Sequence, residues 1–138
     1  MSKFWMKTAR AIAVTALMFG GVVALDTAQA QPAGITRTDL QRHDLSVPGH
    51  EAFQVRVDFA PGATFGKHTH PGEEIIYVLE GALEYEVEGK PPVTLKAGEV
   101  QFIPAGTVHA AKNTGSVKAS ELATYILEKG KPALTLVK

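Results

Sequence analysis

Phe53, Val55, Val57 and Phe59 alternate with Gln54, Arg56 and Asp58, the period of two that puts one face of a β-strand in a core and the other in water. Residues 74–80 (EIIYVLE) and 82–88 (ALEYEVE) read as two further strands meeting at Gly81, a hairpin signal. In the second of these, Leu83, Tyr85 and Val87 alternate strictly with Glu84, Glu86 and Glu88. Short strands follow at 93–96, 99–103, 107–112, 121–127 and 133–137, punctuated by Gly98, Pro104, Gly106, Gly115 and Gly130-Lys131-Pro132. No segment after residue 30 shows a long apolar period of 3.6. The pattern therefore predicts an all-β fold, a small β-barrel or double-stranded β-helix (jelly roll), as a single domain. Residues 53–138 form that barrel, and 31–52, with weak signals, are expected as an N-terminal arm with at most one short strand.

The first thirty residues follow another logic. Lys3, Lys7 and Arg10 precede a fifteen-residue uncharged run at 11–25, and Ala28-Gln29-Ala30 supplies a small-x-small cleavage site. That order describes a secretory signal peptide over 1–30, hence a periplasmic or secreted protein. A spanning helix needs about 20 apolar residues, more than this run offers. Removing the segment leaves 11 basic and 13 acidic residues of the original 14 and 14. With no basic cluster and no polybasic or amphipathic stretch, neither nucleic acid nor, after cleavage, a membrane is an expected partner. The chain has no cysteine, so its stability rests on packing, helped by metal or by oligomerisation.

Candidate chemistry gathers where turn-rich segments meet strands. His68 and His70 are two residues apart, so on an extended strand both imidazoles face one way. Glu74 has the same parity beyond Pro71-Gly72, where a bulge need not reverse the face. His109 follows the turn at Pro104-Ala105-Gly106 on a later strand that a closed barrel can bring alongside. Three imidazoles and a carboxylate suit one divalent metal ion. Fe, Mn or Ni would keep two open positions, whereas Zn could close a tetrahedron; Cu is also compatible. Glu73 points the other way, and His43 and His50 read as solvated arm residues.

These residues also resemble a family. Gly62, five residues, His68-Thr69-His70, three residues, Glu74, six residues and Gly81 match the first cupin motif. Gly98, five residues, Pro104-Ala105-Gly106, two residues, His109, three residues and Asn113 match the second. The resemblance implies a jelly-roll barrel, a metal on His68, His70, Glu74 and His109, and frequently a homodimer. Gly62, Gly81, Gly98 and Gly106 read as turn glycines, and Asn113 as a residue that ties a loop through its side chain.

Parity also shapes the pocket. Ile76, Val78 and Ala111 face inward with Glu74 and His109, predicting a mainly apolar cavity with room beside the metal. Ile75, Tyr77 and Leu79 form an outward stripe that needs covering, which favours a dimer. Two functions stay open for a barrel that hosts many chemistries. One is a metal-dependent, dioxygenase-like oxidoreductase acting on a small organic molecule, with Glu74 as ligand and catalytic base. The other is a binding protein for metal and a small ligand without turnover. The sequence pattern offers no second interior acid and no interior cluster of Arg or Lys.

Overall fold

A computed structural model describes residues 31–138, so the expected signal peptide lies outside the described residues. Ten strands run β1 (Ile35–Asp44), β2 (His50–Phe59), β3 (Thr64–Thr69), β4 (Gly72–Glu80), β5 (Ala82–Val87), β6 (Val93–Lys96), β7 (Val100–Ile103), β8 (His109–Lys112), β9 (Ala119–Glu128) and β10 (Thr135–Leu136). No helix occurs among the described residues. The strands form two five-stranded antiparallel sheets, in the orders β1-β2-β9-β4-β7 and β10-β3-β8-β5-β6. This is the all-β jelly-roll barrel that the alternation predicts.

The core is the inner face of both sheets. Phe53, Val55, Val57 and Phe59 of β2 meet Ile76 and Val78 of β4, Leu83, Tyr85 and Val87 of β5, and Ala123, Tyr125 and Leu127 of β9. Burying a side chain of this size contributes about 1.5–3 kcal/mol, and the cluster is continuous from one sheet to the other. Asn113, 1 % exposed, donates from Nδ2 to the Phe59 and Val117 carbonyls and accepts from the Gly115 amide, tying the loop before β9 to the end of β2. Gly62, Gly81, Gly98 and Gly106 all have positive φ, as turn positions require.

Two expectations change. β4 and β5 are not a hairpin: β4 pairs with β7 and β9, whereas β5 pairs with β6 and β8. Gly81 carries the chain from one sheet to the other instead, passing so close to β9 that a Cβ there would lie 2.7 Å from the Lys118 carbonyl oxygen. The second difference is β1, a ten-residue strand where at most a short one was expected, paired with β2 from Ile35↔Phe59 to Asp44↔Glu51. Its sequence lacks apolar alternation because most of this edge strand is exposed on both faces. Pairing with β2, not burial, holds it extended.

Candidate metal centre

His68 and His109 are direct cross-strand partners on β3 and β8, with ring centroids 4.1 Å apart. Glu74 projects from β4 in the opposite sheet, and His70 stands in the crossing between β3 and β4. The run from His68 to Glu74 is therefore not one bulged strand. The side chains converge because the chain changes sheets between them and the two inner faces look at each other. Gly72 makes that crossing possible: a Cβ there would sit 1.8 Å from the Ile126 carbonyl oxygen, so no other residue fits without moving β9.

All four side chains are buried. Each imidazole is fixed by its Nδ1 against a backbone carbonyl: His68 to Gly66 at 2.7 Å, His109 to Thr107 at 2.9 Å, His70 to Ala133 at 2.6 Å. A carbonyl only accepts, so Nδ1 carries the hydrogen and Nε2 is left with its lone pair. His109 Nε2 lies 2.8 Å and His70 Nε2 3.4 Å from Glu74 Oε2, yet all three atoms are buried without a hydrogen bond of acceptable geometry. Lone pairs crowded onto a carboxylate oxygen repel unless a cation sits among them. One donor atom from each of the four residues lies within 4.8 Å of the others. Donors about 2.1 Å from a common ion stand roughly 3.0 Å apart when adjacent and roughly 4.2 Å when opposed. The four residues could hold a metal ion, and the carbonyl contacts behind the rings are the outer support such ligands need.

The electrostatics agree. Burial, and then the neighbouring His109, lowers the His68 pKa from 6.5 to about 4, which keeps that ring neutral. Burial alone would raise Glu74, but the hydrogen-bonding reach and charge of His109 and His70 hold its carboxyl far below the usual range. Burial opposes charge on His109, and the Glu74 carboxylate overrides it and raises that pKa. Glu74 is thus an anion in search of a cation.

A family model for the cupin domain matches residues 55–128, more than half the chain and the whole of this cluster. The chain belongs to the cupin family. A germin-like protein of Arabidopsis thaliana (subfamily 2 member 2) is 40 % identical to it over 87 residues, 57 % of this chain and 40 % of that protein. An oxalate-binding protein of Thermotoga maritima is 41 % identical over 73 residues, 52 % of this chain and 60 % of that one. This cupin therefore spans less than two thirds of these curated relatives. Among solved structures, recombinant oxalate oxidase in complex with glycolate is similar at 28 % identity and a TM-score of 0.62, over 78 % of this chain and 57 % of that one.

The cupin's cavity differs from the expected one. Beside His68, Glu74 and His109 it is lined by apolar Val57, Phe59, Phe65, Ile76 and Ala111, but also by Arg37, Tyr85, Glu121 and Tyr125, and it measures only about 10 Å³. That is space for about one water, not the roomy apolar pocket that parity on β4 and β8 suggested. Glu121, 5 % exposed, is a second interior acid where none was expected, and Tyr85 donates its hydroxyl to Glu121 Oε2. Burial, and then the negative charge of Glu74, raises the Glu121 pKa from 4.5 to about 8, so its carboxyl is neutral at pH 7. Parity could have found it, since Glu121 shares the inward face of β9 with Ala123, Tyr125 and Leu127. Arg37 was masked by the weak pattern of β1; its pairing with inward-facing Val57 turns it to the barrel. Glu73 is half-buried and faces away from the histidines, His43 is exposed, and the His50 ring bonds the local Pro48 carbonyl at 3.0 Å.

Proposed function

We propose that the chain is an exported, metal-dependent cupin oxidoreductase acting on a small organic acid, with His68, His70, Glu74 and His109 as ligands to one divalent ion, Fe, Mn or Ni before Zn or Cu. The observation that carries this reading is the meeting of three buried imidazoles and one carboxylate, with His70 Nε2, His109 Nε2 and Glu74 Oε2 lacking any hydrogen-bond partner. An ion there supplies Lewis-acid and electron-transfer chemistry. The protein's share is to hold the rings by their Nδ1 atoms, to keep Glu74 ionised and to exclude bulk water. Glu74 would also be the carboxylate placed to take a proton in the cavity. The organic acid is supported by two similar proteins, one named for oxalate binding and the other solved with glycolate. Export rests on residues 1–30, leaving the 31–52 segment laid along the 53–138 barrel. No helix among the described residues is long and apolar enough to cross a membrane.

Elemental analysis of the purified mature protein, followed by oxygen uptake with oxalate, glycolate and a panel of catechols and enols, tests the reading. About one equivalent of Fe, Mn or Ni, lost in His68→Ala and His109→Ala, with uptake on one of these substrates, is the expected result. Metal content unchanged in both variants overturns the site. Bound metal without turnover supports the second reading, a binding protein for metal and a small acid, which the tightness of the cavity favours.

We also propose a homodimer through the outer face of β4 and β7. Ile75 pairs with Phe102 and Tyr77 with Val100 across these strands, and all four, with Leu79, are exposed. Such a contiguous apolar patch calls for a cover. Sedimentation of Phe102→Glu should show a monomer with its metal retained; a surviving dimer rules this face out.

A further inference from the structure

The residues that line the cavity are all buried except one. Arg37, on edge strand β1, is half-buried, the most exposed of the lining residues. Its guanidinium lies 5.8 Å from the ring centre of Phe65 and 5.9 Å from that of Tyr125, within cation–π range of both. No carboxylate among the described residues comes within ion-pair distance of it, although Glu121 lines the same cavity. An unpaired guanidinium at the exposed wall of a small cavity is an anion-recruiting group. The cavity holds about 10 Å³, so a two-carbon acid enters only if lining side chains move, and Arg37 is the one with solvent to move into.

Glu121 stands in the same cavity wall as Glu74 and His109, with Tyr85 on its Oε2 only.

We propose that Arg37 is the carboxylate-recognition residue of the metal cavity: its guanidinium, at the cavity's most exposed wall, pairs with the ligand's carboxylate, forming a subsite beside the four metal-site residues. The ligand class is a carboxylate of two or three carbons, with one end toward His68, Glu74 and His109. The charges favour it. A divalent ion on Glu74 with three neutral imidazoles and the Arg37 cation would leave the chamber positive even with Glu121 ionised, and an anion offsets that excess. The subsite rests on the metal reading given above, and its test is separable from it.

The test is calorimetric titration of acetate, glycolate and oxalate into the full mature protein of known metal content, with glycolamide as the uncharged counterpart of glycolate. At least one acid is expected to bind, and glycolamide to bind at least about tenfold more weakly than glycolate. Arg37→Gln should weaken the acid at least about tenfold while metal content and melting temperature stay as in wild type, and Arg37→Lys should restore part of the loss. Glu121→Gln, whose side-chain oxygen still accepts from Tyr85 and whose amide still offers an N–H, should bind the acid within a few-fold of wild type with metal unchanged. Wild-type affinity in Arg37→Gln, equal binding of glycolamide and glycolate, or no binding of any of the three acids to metal-loaded protein overturns the subsite. Each of those results leaves the metal reading intact. Conversely, metal that persists in His68→Ala and His109→Ala overturns the metal reading whatever Arg37 does.

Discussion

Glu74 and Glu121 sit in one chamber, both nearly inaccessible, and their environments push them in opposite directions. Glu74 faces two imidazoles and stays charged; Glu121 faces a tyrosine hydroxyl and the charge of Glu74, and keeps its proton to about pH 8. Burial is common to the two, so the neighbours decide which is an anion and which an acid. A pair of carboxyls separated in this way supplies a cation site and a proton-holding group a short distance apart. The difference arises from strand placement. β4 delivers Glu74 opposite β3 and β8, where the histidines are, while β9 delivers Glu121 toward Tyr85 of β5.

The contrast can be broken at either end. Glu74→Gln removes the only anion of the cluster and should lower metal affinity by at least about a hundredfold, measured by competition with a chelator. Glu121→Gln should leave that affinity within a few-fold of wild type. Similar losses in both variants would mean that the two acids share one role. Tyr85→Phe takes away the donor to a fully enclosed Glu121 and should destabilise the protein by about 1–3 kcal/mol in urea unfolding; no change would mean that the hydroxyl is not structural.

A finer cut uses pH on metal-free protein. In the folded chain Glu121 releases its proton near pH 8, against an ordinary value of 4.5. Between those limits the folded state binds the extra proton, so this group's contribution is full below 4.5, declines as pH rises, and is gone above about 8. The opposite trend from His68, lost as pH falls from 6.5 towards about 4, is common to wild type and Glu121→Gln and cancels between them. Wild-type stability relative to Glu121→Gln should therefore fall across pH 4.5–8; parallel curves would show that Glu121 ionises normally. The smallest effect is expected from Glu73→Gln, adjacent in sequence but on the other face. Its metal content should be unchanged and its stability within about 0.5 kcal/mol of wild type.

Much of this was readable in the chain. Period-two alternation located β2 and β5 and the faces of β4 because each has one side in the core and one in water. The offsets among His68, His70, Glu74 and His109 picked out the cluster because ligands to one ion must converge. What escaped has physical causes. β1 is held by backbone pairing along β2, which leaves no periodic trace in side chains, and Arg37 went unread with it. Gly81 gives the same turn signal whether the chain folds back on itself or crosses to the facing sheet. Glu121 carried the inward parity of Ala123 and Tyr125, but its charge argued against burial, and the Tyr85 hydroxyl that makes burial tolerable lies on another strand.

The anchors behind the three rings also differ in reach. His68 and His109 lean on carbonyls two residues earlier, at Gly66 and Thr107, and can be oriented as soon as their own hairpin-length segments form. His70 leans on Ala133, 63 residues downstream, in the segment that β10 fastens beside β3. The cluster is consequently complete only when the C-terminal segment has docked. Until residues 130–136 have docked, the Ala133 contact of His70 is missing and only two of the three rings have their carbonyl anchors.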